Sequence, residues 1–349
     1  MKKILTSLIL LLLSFSLFAE KFGGIEVGGK GLKISVIDIV DIETGQFTVI
    51  KSWSRNTAIT RGISVDGKLR ADDITESANA VNEILNQLRT EFKLPDDHIF
   101  IIASSGVAMA TNKQDFSDKV KSVTGREIGF VTSEQEGKLV TKGAVPPSKY
   151  LTSMTVDIGG GNTKGGFVSL DDANHYLFTP MAFELGSVTL TEKLKKRAKG
   201  PEFIDFVESA LYFNDSLRTI IKYTNDNKPA IRRKANVYMI GGAVWSFLTL
   251  TRPGSTSAFE NFTLQDIKNY QYDIINNWEK YESLIDSNKD VAKVFDTYSR
   301  EALLAGSYIM IDYINDMQNP DQKKLVFVRN GYIAWIVAYV VDKQRGNIK

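Results

Sequence analysis

Two short segments of this chain repeat one pattern: an acid inside a hydrophobic strand, a run of glycines, then a second strand. They are Ile25-Glu26-Val27-Gly28-Gly29-Lys30-Gly31 and Val156-Asp157-Ile158-Gly159-Gly160-Gly161-Asn162-Thr163. A third glycine pair, Gly241-Gly242, directly follows the strand-like Tyr238-Met239-Ile240. Glycine adopts backbone conformations closed to other residues and has no Cβ to hold a neighbour away, so such a turn can aim several amides at one anion. A single copy reads equally well as an ordinary hairpin with a Gly-rich turn. Two copies in separate halves of the chain, with a third pair after another strand, fit two turns clamping a phosphate chain from opposite sides. On that reading Gly28, Gly29, Gly159, Gly160, Gly161, Gly241 and Gly242 approach phosphate. Glu26 and Asp157, within the strands, are placed to hold Mg²⁺ or another divalent cation opposite the phosphate oxygens.

The remaining pattern alternates strand-like and helix-like stretches. Leu32 to Val40, Phe47 to Trp53, Ile99 to Ala103 and Ile128 to Val131 read as strands in the first half. Thr155 to Ile158, Gly166 to Leu170, Val237 to Ile240 and Leu325 to Val328 do so in the second. The clearest helix is Asp73 to Phe92, where Ile74, Ala78, Val81, Leu85, Leu88 and Phe92 recur at spacings of three and four. Asp73 with Glu76, Thr111 with Gln114 and Ser133 with Glu136 have capping-box spacing, and Gly125 is placed to end a helix. Leu190 to about Asn227 and Leu264 to Asn319 read as mostly helical, and an apolar helix closes the chain around Tyr332 to Val341. The expected class is α/β with mixed sheets in two lobes, residues 20–150 and 151–349, the last helix being free to pack back on the first lobe.

Composition narrows the chemistry. The chain has no cysteine and only His98 and His175 among 349 residues, so thiolate metal sites and cysteine nucleophiles are excluded, and a zinc or histidine-phosphatase centre is disfavoured. His98, after Pro95-Asp96-Asp97, reads as a turn residue. A formal net charge of +2 supplies no general basic field, so an anion must be held by a local site. Any catalysis must therefore come from carboxylates, backbone amides and a hard metal ion.

Residues 1–19 stand apart. Lys2-Lys3 precede an apolar run from Ile4 to Leu13, and Leu17-Phe18-Ala19 puts a small residue before a cut. The apolar stretch is short for a membrane span of about 20 residues. A cleaved export signal, with the mature chain starting near Glu20 in the periplasm or outside the cell, is the expectation; an uncleaved N-terminal anchor is the alternative.

Six motifs in one order carry a resemblance. They are Ile102-Ala103-Ser104-Ser105-Gly106 with Asn112 and Phe116, Thr124-Gly125-Arg126-Glu127-Ile128 followed by Ser133-Glu134-Gln135-Glu136, the loop Asp157 to Thr163, Leu185-Gly186-Ser187-Val188, Ile240-Gly241-Gly242, and Leu303-Leu304-Ala305-Gly306. Together, from about Ile25 to Val340, they resemble the Ppx/GppA family of exopolyphosphatases and guanosine pentaphosphate phosphatases. The resemblance implies an actin-like (ribonuclease H-like) fold with duplicated mixed β-sheet domains and a cleft between them. It implies that Asn162 and Thr163 join the glycines in the second phosphate loop. It also implies that Glu136 is the base that activates water, and that Glu26 and Asp157 help to hold metal and phosphate. Read on its own, Glu136 is a helix cap; the resemblance makes it a base.

The chain departs from the family pattern at several places. The first loop opens with Glu26 in place of aspartate and runs Gly29-Lys30-Gly31. An arginine expected near Ala108 is missing, an arginine-glycine pair is replaced around Ile333-Ala334, and Lys164 stands where a glutamate is usual. Lys30 and Lys164 read either as new phosphate-facing cations or as solvated turn residues. The expected activity is Mg²⁺-assisted hydrolysis of terminal phosphate from polyphosphate or a nucleotide polyphosphate. The rival is a catalytically impaired module holding the same chains; an actin-like ATPase or sugar kinase fits less well. Expected partners are those phosphate chains, with a homodimer left open, and no nucleic acid or membrane beyond the export signal.

Overall fold

The computed structural model describes residues 20–41, 46–344 and 346; residues 1–19, expected from sequence to be an export signal, lie outside the described residues. Strands β1 (Glu20–Gly28), β2 (Gly31–Asp41) and β3 (Gln46–Asn56) form an antiparallel meander. β4 (Ile99–Ala103) runs parallel to β1 on its other side, and β5 (Gly129–Phe130) parallel to β4, giving the order β3-β2-β1-β4-β5.

The second sheet repeats this plan. β6 (Ser153–Ile158), β7 (Thr163–Leu170) and β8 (Tyr176–Phe183) form the meander, and β9 (Asn236–Ile240) lies parallel to β6. With β10 (Phe259–Phe262) and β11 (Lys324–Val328) the order is β10-β11-β9-β6-β7-β8. Read from β8 to β11, it matches the first sheet in order and in strand sense, with β10 added antiparallel at the edge. This is the actin-like arrangement. β8 and β10 escape the sequence reading. The first carries Pro180, which sheets tolerate at an edge, and the second is only four residues long.

β1 is buried from Phe22 to Gly28 because helices cover both its faces. Gly23 lies against Leu88 and Leu94, and Gly24 against Ile336 of the C-terminal helix Gly331–Gln344. That helix pairs with Ser133–Ala144, and the two share one apolar cluster with Ile102, Tyr238, Ile240, Val326 and Val328, so they pack on both sheets. The C-terminal helix thus returns to the first lobe.

Three caps differ from the sequence expectation. The helix Ala71–Thr90 starts two residues early without a side-chain cap; Asp73 is buried and ion-paired with Arg61. Thr111 donates instead to the carbonyl of Gly67 (3.1 Å), and its helix begins at Lys113. The box expected from Ser133 to Glu136 is shifted by one residue to Thr132 and Gln135. Gly125 does end its helix, at φ 70°.

Candidate functional site

The cap shift decides where Glu136 points. With Gln135 occupied at the cap, the helix turns Glu136 inward, 1% exposed, and leaves Glu134 in solvent. The helix lies so close to β7 that a Cβ on Gly137 would come 2.6 Å from the carbonyl oxygen of Gly165. Oε2 of Glu136 accepts from the backbone N–H of Ser105 (2.7 Å), and Oε1 lies 3.1 Å from Nζ of Lys164.

Each glycine turn is held from behind. Gly29 and Lys30 form the tip between paired Gly28 and Gly31, with Thr60 Oγ1 donating to the Gly29 carbonyl (3.0 Å). In the second turn, the first amides of the helix Ser187–Lys195 take the carbonyls. Ser187 N donates to Gly159 O (2.9 Å), Val188 N to Gly160 O (2.9 Å), and Thr189 Oγ1 to Gly161 O (2.9 Å). That gives the Leu185–Val188 motif its physical role: a helix N-terminus has unpaired donors, and here they fix the loop. Gly241, at φ 95°, is a position where a side chain would strike the Ile158 carbonyl and Asp157 Oδ1.

The turns border one cleft of about 410 Å³ between the lobes. Of the expected phosphate-binding residues, Gly28, Gly29, Lys30, Gly159, Gly160, Gly161, Asn162, Gly241 and Gly242 line it, as do Glu26 and Asp157. Thr163 does not; it is buried and donates to the Leu185 carbonyl (2.7 Å). Glu136 lies behind the wall rather than on it. Asn162 ties the lobes together, donating from Nδ2 to Ser105 Oγ (3.0 Å) and Ser133 Oγ (3.3 Å). The cleft lining holds six basic side chains (Lys30, Lys33, Arg55, Lys164, Lys293, Arg329) against three acidic ones (Glu26, Asp157, Asp290).

Each turn acid is paired with a lysine. Glu26 and Lys33 are cross-strand partners in β1 and β2, with Nζ 2.8 Å from Oε1; Trp335 Nε1 donates to Oε2 (2.9 Å). Asp157 and Lys164 are cross-strand partners in β6 and β7, with Nζ 3.2 Å from Oδ2. Lys164 is 5% exposed, which excludes a solvated turn residue. Sequence reasoning passed over Lys33, although the acid-to-lysine spacing of seven occurs in both hairpins, Glu26 to Lys33 and Asp157 to Lys164.

Burial shifts these groups. It raises the Glu26 carboxyl, against the pull of Lys33. Burial also lowers Lys33 and Lys164, but their neighbouring carboxylates outweigh it and leave both ammoniums above the ordinary lysine range. Burial pulls Lys30 down, with Glu192 opposing, while its Nζ stands 5.8 Å from the centre of the Tyr298 ring. Burial pushes the Tyr298 hydroxyl up to about 12.

The acids expected to hold a divalent cation do not fit one in this arrangement. Both oxygens of Glu26 accept from protein donors, and Lys164 stands between Asp157 and Glu136. Among the described residues, no group of three or more His, Asp or Glu side chains could hold a metal ion.

Residues 38–213 match the model of the Ppx/GppA phosphatase family. The chain belongs to that family. Its fold is that of an Aquifex aeolicus Ppx/GppA protein, 20% identical with a TM-score of 0.64 over 94% of this chain and 99% of that one. An exopolyphosphatase from Cytophaga hutchinsonii is also similar, at 14% identity and TM-score 0.67, covering 91% and 98% of the two chains. Among sequence relatives, a guanosine-5'-triphosphate,3'-diphosphate pyrophosphatase of Vibrio cholerae is 22% identical over 144 residues, 41% of this chain and 28% of that protein. One from Pseudoalteromonas translucida is 22% identical over 156 residues, 44% and 30% of the two chains. The match thus spans less than a third of those relatives' length. The family is one of phosphoanhydride hydrolases that generally depend on a divalent cation.

Proposed function

We propose that the cleft holds the terminal phosphates of polyphosphate or a nucleotide polyphosphate and that water, oriented by Glu136, releases the end phosphate. The observation that carries this reading is the pair of glycine turns facing each other across a cleft lined by twice as many basic as acidic side chains. Phosphoanhydride hydrolysis asks a protein chiefly for positioning and charge neutralisation, which this wall supplies. Lys30 supplies charge at the first tip, while Lys164 beneath the second holds Asp157 and Glu136 as an ion cluster. On the resemblance read from the sequence, an arginine missing near Ala108 and a pair replaced around Ile333-Ala334 would have added charge-assisted contacts, and Lys30 offsets part of that loss as a point charge.

The second reading is a module that binds such chains without splitting them. It is favoured by one observation: both oxygens of Glu136 are already engaged, by Ser105 and Lys164. Phosphate release from polyphosphate and from nucleoside tri- and tetraphosphates, measured beside direct binding, separates the two. Release supports the hydrolase, and saturable binding without release supports the module. We place this activity outside the cytoplasm, on the strength of the Lys2-Lys3, apolar and Ala19 arrangement; N-terminal sequencing of the native protein tests that, and an intact Met1 in a cytosolic fraction defeats it.

A further inference from the structure

We propose that Lys33 and Lys164 are the resident cations of this cleft, occupying at both turns the positions beside the acids that a divalent metal would take, so that a phosphate chain binds without one. The proposal rests on the phosphate-chain reading above for its ligand, and on the geometry alone for its exclusion of metal.

The two lobes carry the same device. In each, the acid of the first hairpin strand faces a lysine seven residues on, at the directly opposite position of the returning strand. Directly opposed residues on one face of an antiparallel pair bring their side chains together, and opposite charges there attract. The ammonium-to-carboxylate distances are 2.8 Å for Glu26 and 3.2 Å for Asp157. Lys164 also reaches Glu136 (3.1 Å) and Asn162 Oδ1 (3.3 Å), so its three N–H donors have three acceptors. A divalent ion at either turn would need these same oxygens and would meet an ammonium already seated on them. Hard divalent cations take oxygen ligands and no ammonium neighbour in that shell. Displacing Lys164, buried with both its carboxylates, would leave uncompensated buried charge, whereas Lys33 is partly exposed over a buried Glu26. Both lysines line the cleft beside the acids they hold, so the acids face a bound polyanion as ion pairs rather than as bare carboxylates.

The test uses the full chain and two titrations. With Mn²⁺ alone, followed by electron paramagnetic resonance, the wild-type protein is expected to show no saturable site below millimolar metal. Tripolyphosphate, followed by calorimetry, is expected to bind in EDTA no more weakly than in excess Mg²⁺. The variant Lys164→Gln frees oxygens of Asp157 and Glu136, and should gain Mn²⁺ binding while losing about tenfold or more of its tripolyphosphate affinity in EDTA. Micromolar Mn²⁺ binding by the wild type, or tripolyphosphate binding only with Mg²⁺, overturns the proposal. A folded Lys164→Gln that gains no Mn²⁺ site also overturns it. Should that variant not fold, the two wild-type titrations decide alone. If tripolyphosphate binds under neither condition, the phosphate-chain reading falls together with the metal-free binding, and the Mn²⁺ titration by itself decides whether the lysines hold the cation positions.

Discussion

The indole N–H of Trp335 donates to Oε2 of Glu26 across 2.9 Å, joining residues 309 positions apart in the chain. It ties the C-terminal helix to the first glycine turn and satisfies a carboxylate oxygen that is otherwise buried. Trp335→Phe keeps an aromatic ring in the same apolar cluster and removes this one donor. A buried acceptor left without a partner costs about 1–3 kcal/mol, so denaturant unfolding should show a loss in that range. No change in midpoint would mean that water replaces the indole.

Glu136 and Glu134 separate catalysis from local charge. The cap belongs to Thr132 and Gln135, so Glu136→Gln leaves it intact and keeps an acceptor for the Ser105 amide. If Glu136 orients water, the variant should lose about 10² to 10⁴-fold in turnover while binding is kept. Glu134→Gln, in solvent on the same helix, should leave turnover unchanged. Wild-type phosphate release that survives Glu136→Gln removes Glu136 from the reaction.

Gly241 is where backbone geometry is least forgiving. At φ 95°, with the Ile158 carbonyl and Asp157 Oδ1 where a Cβ would stand, Gly241→Ala must shift the strand end that carries Asp157. The expected stability loss is about 1–3 kcal/mol from strain of this kind, with weaker phosphate-chain binding read by calorimetry. Gly254, also at positive φ but with open space around it, is the control: Gly254→Ala should cost stability without touching binding.

The pH dependence follows from Lys164. Burial lowers its pKa, but Asp157 and then Glu136 more than offset that, leaving it above the ordinary 10.5. In the folded protein it holds its proton at a pH where the unfolded chain has lost it. Its contribution to stability is therefore complete below about 10.5 and lost as pH rises through the folded value. Thermal melts of wild type and Lys164→Met should differ by a constant amount on the neutral side and converge above that point. A difference that grows with alkalinity contradicts the sign.

Glycine turns, helix faces and buried strands depend on neighbours within a few residues, and they could be read from the chain: the two acid-glycine hairpins, the face of Ile74, Val81 and Leu88, and the apolar run Ile99 to Ala103 all stand where their spacing put them. The two-lobe α/β class is legible in the repeated hairpin and the alternation of strands and helices, while the duplicated sheets are what the family resemblance implies and the two strand orders bear out. Edge strands β8 and β10, interrupted or short, leave little period-two signal, and the capping box stands one residue before Ser133 because Thr132 and Gln135 offer the same chemistry one step earlier. What tertiary structure alone decided is the state of the acids. Whether Glu26 meets metal, water or protein depends on a lysine across the hairpin and a tryptophan from the far end of the chain. Whether Lys164 is solvated or seated between two carboxylates depends on the helix that carries Glu136 crossing β7 at Gly137. Composition places charges in a chain, but their partners are set by distance in space, and a buried ion's behaviour is fixed by those partners.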